Sequence, residues 1–318
     1  MKLQYAQLRG FGWISSLCAV ASLACGIYPA WLEPAEAGPD FPVQGEYATE
    51  GAAGQVIALG GGEFRLVHLD GGLPGAGWDG QGRREVSGAR EADADGEESG
   101  VIHFEDGSRI EDGVLHAGDA RMARLERSSP SLGMAPPTGA IIVFGDGISR
   151  VDGQADSRGL LGVGATSLDA FQDAALHIEY RTPFMPSARG QARANSGVYV
   201  QNRYEVQILD SFGLTGEWNE AGGVYKVAKP RVNMALPPLS WQTYDIDFRA
   251  ARFDADGARS APARMSVRHN GVLIHDDLEL PGPTGAGDDE TPDPGPIYLQ
   301  NHGDPVFFQN VWVLPASS

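Results

Sequence analysis

Cysteine is almost absent from this 318-residue chain: there are two, Cys18 and Cys25. Both fall upstream of Ala37, in a stretch that has the look of a leader. A chain processed there has no disulfide and no thiol chemistry, so its stability must come from apolar cores, which this length can build. Positive charge is the second shortage. Lys and Arg number 24 against 42 Asp and Glu, a net charge of −18. That balance argues against nucleic acid and anionic lipid as partners, since both recruit basic faces. Also missing are an HExxH helix, a paired CxxC, a phosphate-binding glycine loop and a GxSxG elbow. Their absence removes the commonest metalloprotease, NTPase and serine-hydrolase readings. Helical periodicity is scarce, and no internal repeat is found.

One long apolar run exists, Phe11 to Ile27, behind the weakly basic start of Lys2 and Arg9. Ala35-Glu36-Ala37 follows with the small-x-small pattern of a signal peptidase site, so residues 1–37 read as a cleaved signal peptide. The expected location is secreted or periplasmic, with no stable transmembrane segment after cleavage. A retained anchor is the rival, disfavoured because Ser15, Ser16, Ser22 and Gly26 interrupt the run. Leu23-Ala24-Cys25-Gly26 is lipobox-like, but its Leu stands one position too close to the Cys. Cleavage would leave the charge unchanged, because Lys2 and Arg9 depart with Glu33 and Glu36.

The rest divides at a Pro-rich hinge, residues 128–139, which contains Ser129-Pro130 and Pro136-Pro137. Upstream, residues 41–127 alternate short apolar runs such as Val56–Leu59 and Phe64–Leu69 with Asp70-Gly71, Asp106-Gly107 and Asp112-Gly113 turns. A small all-β domain is expected, with Asp79 to Gly100, rich in Gly and charge, as a mobile loop. Downstream, residues 140–315 carry many short strands with Gly/Pro turns and no βαβ spacing, which indicates a β-sandwich or jelly roll. Expected strands include Leu176–Arg181, Gly197–Gln201, Tyr204–Leu209, Gln242–Arg249, Met265–His269, Val272–His275, Ile297–Gln300 and Phe307–Val313. Asn270-Gly271 marks a two-residue hairpin turn. Long loops at Thr182–Ala194 and Pro281–Pro296 are candidate functional rims.

Chemistry concentrates in NSGVYVQNRYEVQILD, residues 195–210. Period-two alternation separates Tyr204, Val206 and Ile208 from Arg203, Glu205 and Gln207. The polar row, with Tyr199 beside it, can donate and accept hydrogen bonds along a polyhydroxylated ligand. A second segment, PIYLQNHG at 296–303, puts Ile297 and Leu299 inward and Tyr298, Gln300 and His302 on the other face. If the two strands share a sheet face, Tyr199, Arg203, Glu205, Gln207, Gln300 and His302 form one sugar cleft with an acid/base pair. Asp210 has the opposite parity to Glu205, and a bend at the strand end is needed to turn it inward; otherwise it is a turn residue. Asp254-Ala255-Asp256-Gly257 lacks the remaining ligands of a calcium loop and reads as a turn. His269 and His275 flank a hairpin and are expected to be solvated. Trp241 and Trp312 are expected in the core.

These blocks, together with GGVYKVAKPRVNMALPPLSWQTYDIDF, RHNGVLIHDD and GPIYLQNHGDPVFFQNVWV, resemble the 3-keto-disaccharide hydrolase family. That family is also described as a 3-keto-glucoside 1,2-lyase and 3-keto-2-hydroxyglucal hydratase domain. The resemblance runs from about Gly139 to Pro315, and VIALGGGEF and GGLPGAGW upstream resemble an extension of planctomycete-like members. It implies a concanavalin-like jelly-roll β-sandwich, here preceded by a small β domain, acting on an oxidised disaccharide or glycoside. It implies His302, Glu205 and Asp210 as catalytic candidates, and Tyr199, Arg203, Gln207, Gln300, Asn195, Tyr225 and Lys226 as substrate-binding candidates. Glu205 would orient His302 or act as the acid. The resemblance specifies no cofactor, and a divalent ion at Glu205, Asp210 and His302 would stabilise an enolate oxygen equally well. The chain departs from the family at Asn301, where Asp is usual, and at Gln309, where Arg is usual. Loss of the Arg is expected to weaken a charge pair under the site. Two other functions fit the same residues: a non-catalytic, lectin-like carbohydrate-binding module, and a glycosidase with Glu205 and Asp210 as its two carboxylates, which must then lie about 5 to 9.5 Å apart.

Overall fold

A computed structural model describes residues 28–92 and 98–316. Most of the expected leader lies outside the described residues. The chain is all-β. Its first part is a closed eight-stranded barrel: β1 (Gly45–Thr49), β2 (Ala52–Gly60), β3 (Glu63–Asp70), β4 (Arg83–Ala92), β5 (Glu98–Phe104), β6 (Arg109–Glu111), β7 (Val114–Ala117) and β8 (Ala120–Leu125), with β8 returning to pair with β1. Tyr47, Val56, Phe64, Leu66, Ile102 and Leu115 fill the interior, as the bore of a small barrel requires. The segment expected to be a mobile loop contributes β4 and the start of β5 instead. Its charges are satisfied by neighbours, Arg84 by Asp106 at 2.8 Å and Arg90 by Asp40 at 2.9 Å. Val86 supplies a buried apolar contact. Gly88 is needed because a Cβ there would lie 2.3 Å from the Phe104 ring.

The second part is a jelly-roll β-sandwich. Its strands are β9 (Ile141–Gly145), β10 (Ile148–Ser149), β11 (Ala165–Phe171), β12 (Ala174–Arg181), β13 (Ser196–Val200), β14 (Tyr204–Ile208), β15 (Trp241–Arg249), β16 (Arg252–Phe253), β17 (Arg259–Ala261), β18 (Ala263–His269), β19 (Val272–Leu280), β20 (Gly295–Leu299) and β21 (Phe307–Pro315). Seven form one sheet in the order β10-β9-β21-β12-β15-β18-β19, and four form the facing sheet, β11-β20-β13-β14; β16 and β17 make a separate hairpin. Between the two sheets lie Ile178, Val198, Val206, Tyr244, Ile246, Leu299 and Phe308. Tyr244 crosses this core and donates to the Gln207 carbonyl at 2.7 Å, linking the large sheet to the small one. Asn270 and Gly271, at φ 49° and 79°, form the expected tight turn between β18 and β19, since paired positive φ matches the twist of the flanking strands.

The hinge segment is a strap packed across the outer face of the large sheet. Ser131 donates to Asp245 at 2.7 Å, Gly133 N–H to Glu179 at 2.6 Å, and the Met134 carbonyl accepts from the Trp312 indole at 3.2 Å. Beneath it, His177 lies between Asp245 (2.6 Å) and Glu179 (3.3 Å) and stacks on Trp312. Gln309 donates to Glu179 at 2.8 Å on this same face. It therefore belongs to the large sheet, not to a charge pair under the residues of β13, β14 and β20. His269 and His275 are buried rather than solvated. His269 meets Tyr180 at 2.9 Å and Gln242 at 3.1 Å, and burial pushes its pKa down to about 3. His275 bonds the Gly222 carbonyl at 2.7 Å, because the segment after β14 covers that hairpin.

No helix among the described residues is long and apolar enough to cross a membrane. Residues just before the expected cleavage point are part of the fold. Trp31 forms a two-way backbone bridge with Phe184, at 3.0 and 2.9 Å, and its ring packs on the Phe184 ring. Glu33 pairs with Arg181 at 3.1 Å and with Arg158, and Ala37 is buried against the barrel core. A chain beginning at Gly38 loses all of these contacts. It should be about 2 kcal/mol less stable in urea unfolding than one beginning at Tyr28; equal midpoints would show that the segment contributes nothing.

Candidate functional site

The small sheet owes its chemistry to β13, which pairs with β14 on one side and β20 on the other. Tyr199 stands opposite Glu205 in the first pairing and opposite Tyr298 in the second. Val198, Val206 and Leu299 fall in the sandwich core, so alternation sends Tyr199, Glu205, Tyr298, Gln207 and Gln300 to the opposite, outer face. Three of the expected residues meet there. The Tyr199 hydroxyl donates to Glu205 Oε2 at 3.0 Å and accepts from Gln300 Nε2 at 3.3 Å. Gln300 Oε1 is buried with no protein partner among the described residues, which leaves an acceptor aimed at something else.

Glu205 is 3% exposed, although carboxylates are seldom buried without a cation. Burial pushes its pKa up to about 7, against the Tyr199 hydrogen bond, which lowers it. Burial and the adjacent Glu205 charge also raise the Tyr199 hydroxyl well above its ordinary range, so it stays a proton donor. Two glycines make room. A Cβ on Gly197 would lie 2.5 Å from Glu205 Oε1, and one on Gly285 would lie 2.7 Å from both Glu205 Oε2 and the Tyr199 hydroxyl. Gly285 belongs to the loop that was expected to be a functional rim. Here the loop lies over the pair: the Glu205 amide donates to Thr284 Oγ1 at 2.7 Å, and the Ala286 amide donates to the Tyr199 hydroxyl at 3.3 Å.

A second polar row lies beside the first. Gln207 Nε2 donates to Asn195 Oδ1 at 3.1 Å and to Gln191 Oε1 at 3.2 Å, and Asn195 Nδ2 returns to Gln191 at 3.1 Å. The Asn195 amide donates to Asp304 at 2.8 Å. The Asp304 carboxyl is raised by burial and lowered in part by nearby His302. His302 itself is exposed, on the turn that follows β20. Asn301 holds that turn, its Oδ1 accepting from the Gly303 amide at 3.0 Å; an Asp at this position would accept the same bond.

Other expected site residues are placed elsewhere. Arg203 does not offer its guanidinium to a ligand: it donates to Gln201 at 3.0 Å, to Thr291 Oγ1 at 2.6 Å and to the carbonyls of Asp289 and Asp293. It thereby anchors the covering loop. Asp210 faces Arg193 in a buried pair at 2.7 Å, because the bend at the end of β14 turns it toward the 182–195 segment and not toward Glu205. Glu205, Asp210 and His302 consequently do not converge as metal ligands, and no group of three or more His, Cys, Asp or Glu among the described residues is arranged to hold a metal ion. The two-carboxylate arrangement loses its second member for the same reason. Tyr225 and Lys226 lie on a tight turn beyond the β14 edge, where Val224 bridges to Val206. Sequence reasoning passed over Gln191, Gly285 and Asp304. Gln191 and Gly285 lie in the two long loops, 182–194 and 281–296, and Asp304 lies two residues after His302, so position along the chain was the signal each carried.

A β-sandwich whose small sheet presents a buried carboxyl, a tyrosine and amides on one face carries side chains able to hydrogen-bond a polyhydroxylated ligand. The family model described as a 3-keto-alpha-glucoside-1,2-lyase-like domain matches residues 68–314, and the chain belongs to that family. The match begins within β3, so it takes in most of the barrel as well as the sandwich. A solved structure from Parabacteroides distasonis, described as a candidate glycosyl hydrolase, is similar at 29% identity with a TM-score of 0.51, covering 57% of this chain and 85% of that one. A second such protein from the same organism has 18% identity and a TM-score of 0.40, covering 56% and 99%. No curated protein matches the chain.

The Glu205 environment makes a stability prediction with a definite sign. The folded-state pKa, about 7, lies above the ordinary 4.5, so the unfolded chain releases a proton that the folded chain retains. Stability is therefore complete below pH 4.5 and is lost as pH rises through 7. At about 1.4 kcal/mol per pKa unit the loss is on the order of 3 kcal/mol. Glu205→Gln should be more stable than the parent at pH 8 and close to it at pH 4. Urea midpoints showing the same difference at both pH values would contradict this.

Proposed function

We propose that the chain cleaves 3-keto-glycosides by elimination and hydration, with Glu205 as the base. A ketone at carbon 3 acidifies the hydrogen on carbon 2. Glu205 takes that proton, the C–H electrons form the enolate, and the enolate then expels the glycosidic oxygen from carbon 1, which leaves protonated. Water adds back across the carbon 1–carbon 2 double bond, with hydroxyl to carbon 1 and a proton to carbon 2, so the net change is hydrolysis. The observation that carries this reading is a Glu205 carboxyl buried against the Tyr199 hydroxyl at 3.0 Å, where burial pushes its pKa up to about 7. A base poised near the working pH transfers protons most effectively.

The second N–H of the Gln300 amide is the donor available to a developing enolate oxygen, since the Tyr199 hydroxyl gives its one proton to Glu205. His302, exposed on the turn after β20, carries the imidazole we assign to protonate the departing oxygen. In the present arrangement the Thr284–Gly287 segment lies over Glu205, so substrate entry requires it to lift. Secretion to the exterior or the periplasm suits an enzyme that meets glycosides there, and belongs to the same proposal.

The test is exchange of the carbon 2 proton with deuterated water, followed on a 3-keto-glucoside and on its unoxidised parent. The keto sugar alone should exchange and be cleaved, with a base limb rising near pH 7. Glu205→Gln should lower turnover by about two to four orders of magnitude, and His302→Ala should do so if it protonates the departing oxygen. Cleavage of the unoxidised parent would instead indicate an ordinary glycosidase, and binding without turnover a lectin-like module.

A further inference from the structure

Lysine is the rarest charged residue here. The sequence contains three, Lys2, Lys226 and Lys229, and uses Arg for every other basic side chain. Lys226 and Lys229 are thus the two lysines among the described residues, and both line one surface cavity of about 340 Å³ with Trp218, Val227 and Ala228. On a chain of net charge −18, two cations in one hollow with no carboxylate among its lining residues are a local reversal of sign. A compact ammonium recruits an anion as a point charge.

The third wall is aromatic. Trp218 is 37% exposed, among the few large apolar side chains left open to solvent. It is nonetheless held in place. Its ring meets Tyr225 edge-on at 5.0 Å, and Lys226 Nζ sits 5.3 Å from the Tyr225 ring centre. The Gly216 and Glu217 amides both donate to the Glu220 carboxylate, at 2.8 and 3.1 Å. The backbone of Gly223 passes so close that a Cβ there would lie 2.4 Å from the Trp218 carbonyl. Lys226 takes a left-handed φ of 58°, a conformation that costs free energy for a non-glycine side chain. This turn presents the lysine in spite of that cost.

The segment that carries the cavity pairs with the edge of β14, the strand that bears Glu205. Val224 bridges Val206, the residue after Glu205, and the Gln207 amide donates to the Gly223 carbonyl at 2.9 Å. We propose that Trp218, Lys226 and Lys229 form a subsite for the leaving group, and that it takes a saccharide ring bearing an anionic substituent. The ring stacks on the indole, and the carboxylate or sulfate is met by the two ammonium groups. The assignment of the ring to the leaving group rests on the cleavage reading above; the binding of an anionic saccharide does not.

Titration calorimetry on the full chain with unoxidised disaccharides separates the two. The probes are a glucose–glucuronate disaccharide, its sulfated neutral-sugar counterpart and the uncharged parent, each at low and at physiological salt. The anionic disaccharides should bind at least ten-fold more tightly than the neutral one at low salt, with a preference that shrinks as salt rises. The carboxylate and sulfate arms show which anion fits better. Trp218→Ala should weaken all three. Lys226→Asn with Lys229→Gln should erase only the anionic preference, Asn being tolerant of left-handed φ; matching melting temperatures establish that the variants are folded. Equal affinity for charged and neutral disaccharides, affinities unchanged in both pocket variants, or binding of none of the probes would each overturn the proposal. Cleavage of 3-keto substrates without anionic preference removes the subsite alone, and anionic binding without cleavage removes the enzyme reading alone.

Discussion

The site depends on one strand making two pairings. Because β13 lies between β14 and β20, Tyr199 has Glu205 on one side and Tyr298 on the other, and two distant stretches of chain share a single outer face. A one-residue slip in either pairing would send its polar row into the apolar interior. The valines, leucine and isoleucine on the opposite parity prevent this, since they fill the space between the sheets. Core packing and site geometry are therefore one constraint: the residues that hold the sandwich together also aim the carboxyl.

The barrel supports the arrangement from behind. Its β2 strand offers the Ala58 carbonyl to Arg193, which also meets Asp210 at the end of β14. Phe184 enters the barrel-side cluster, and Phe212 packs with Ile57, Val67 and Leu69. Asp210, a residue whose charge suggested catalysis, thus fixes the bend that follows β14. Removing one member of such a buried pair leaves an uncompensated charge, which is typically far more damaging than replacing both. The family match across both parts agrees with a barrel that is integral to the fold.

Much of the sandwich was legible because period-two alternation is strong where one face is apolar and the other polar. The polar row within each segment follows from that parity, while the sharing of one face by Tyr199, Glu205, Gln207 and Gln300 required the pairing of β13 with both β14 and β20. Legibility failed where a side chain's partner came from a distant loop. Arg203 has the right parity but is occupied by the carbonyls of 289–293, and nothing in its own strand reveals this. The β4 strand escaped notice because its charges are matched across the barrel wall, so composition imitates a solvated loop. His269 and His275 were misplaced for a related reason: the covering segment 209–240 has no regular pattern to announce it.

What unites these features is a carboxyl kept neutral up to about pH 7 by burial, against the one tyrosine hydrogen bond that favours its charged form. Isotope-edited infrared titration, with labelled glutamate and Glu205→Gln as the subtraction, reads that carboxyl directly. The account predicts a protonated band for Glu205 that converts to carboxylate with a midpoint near pH 7. A midpoint near 4.5, the ordinary value for a glutamate, would contradict it and leave the site without its base.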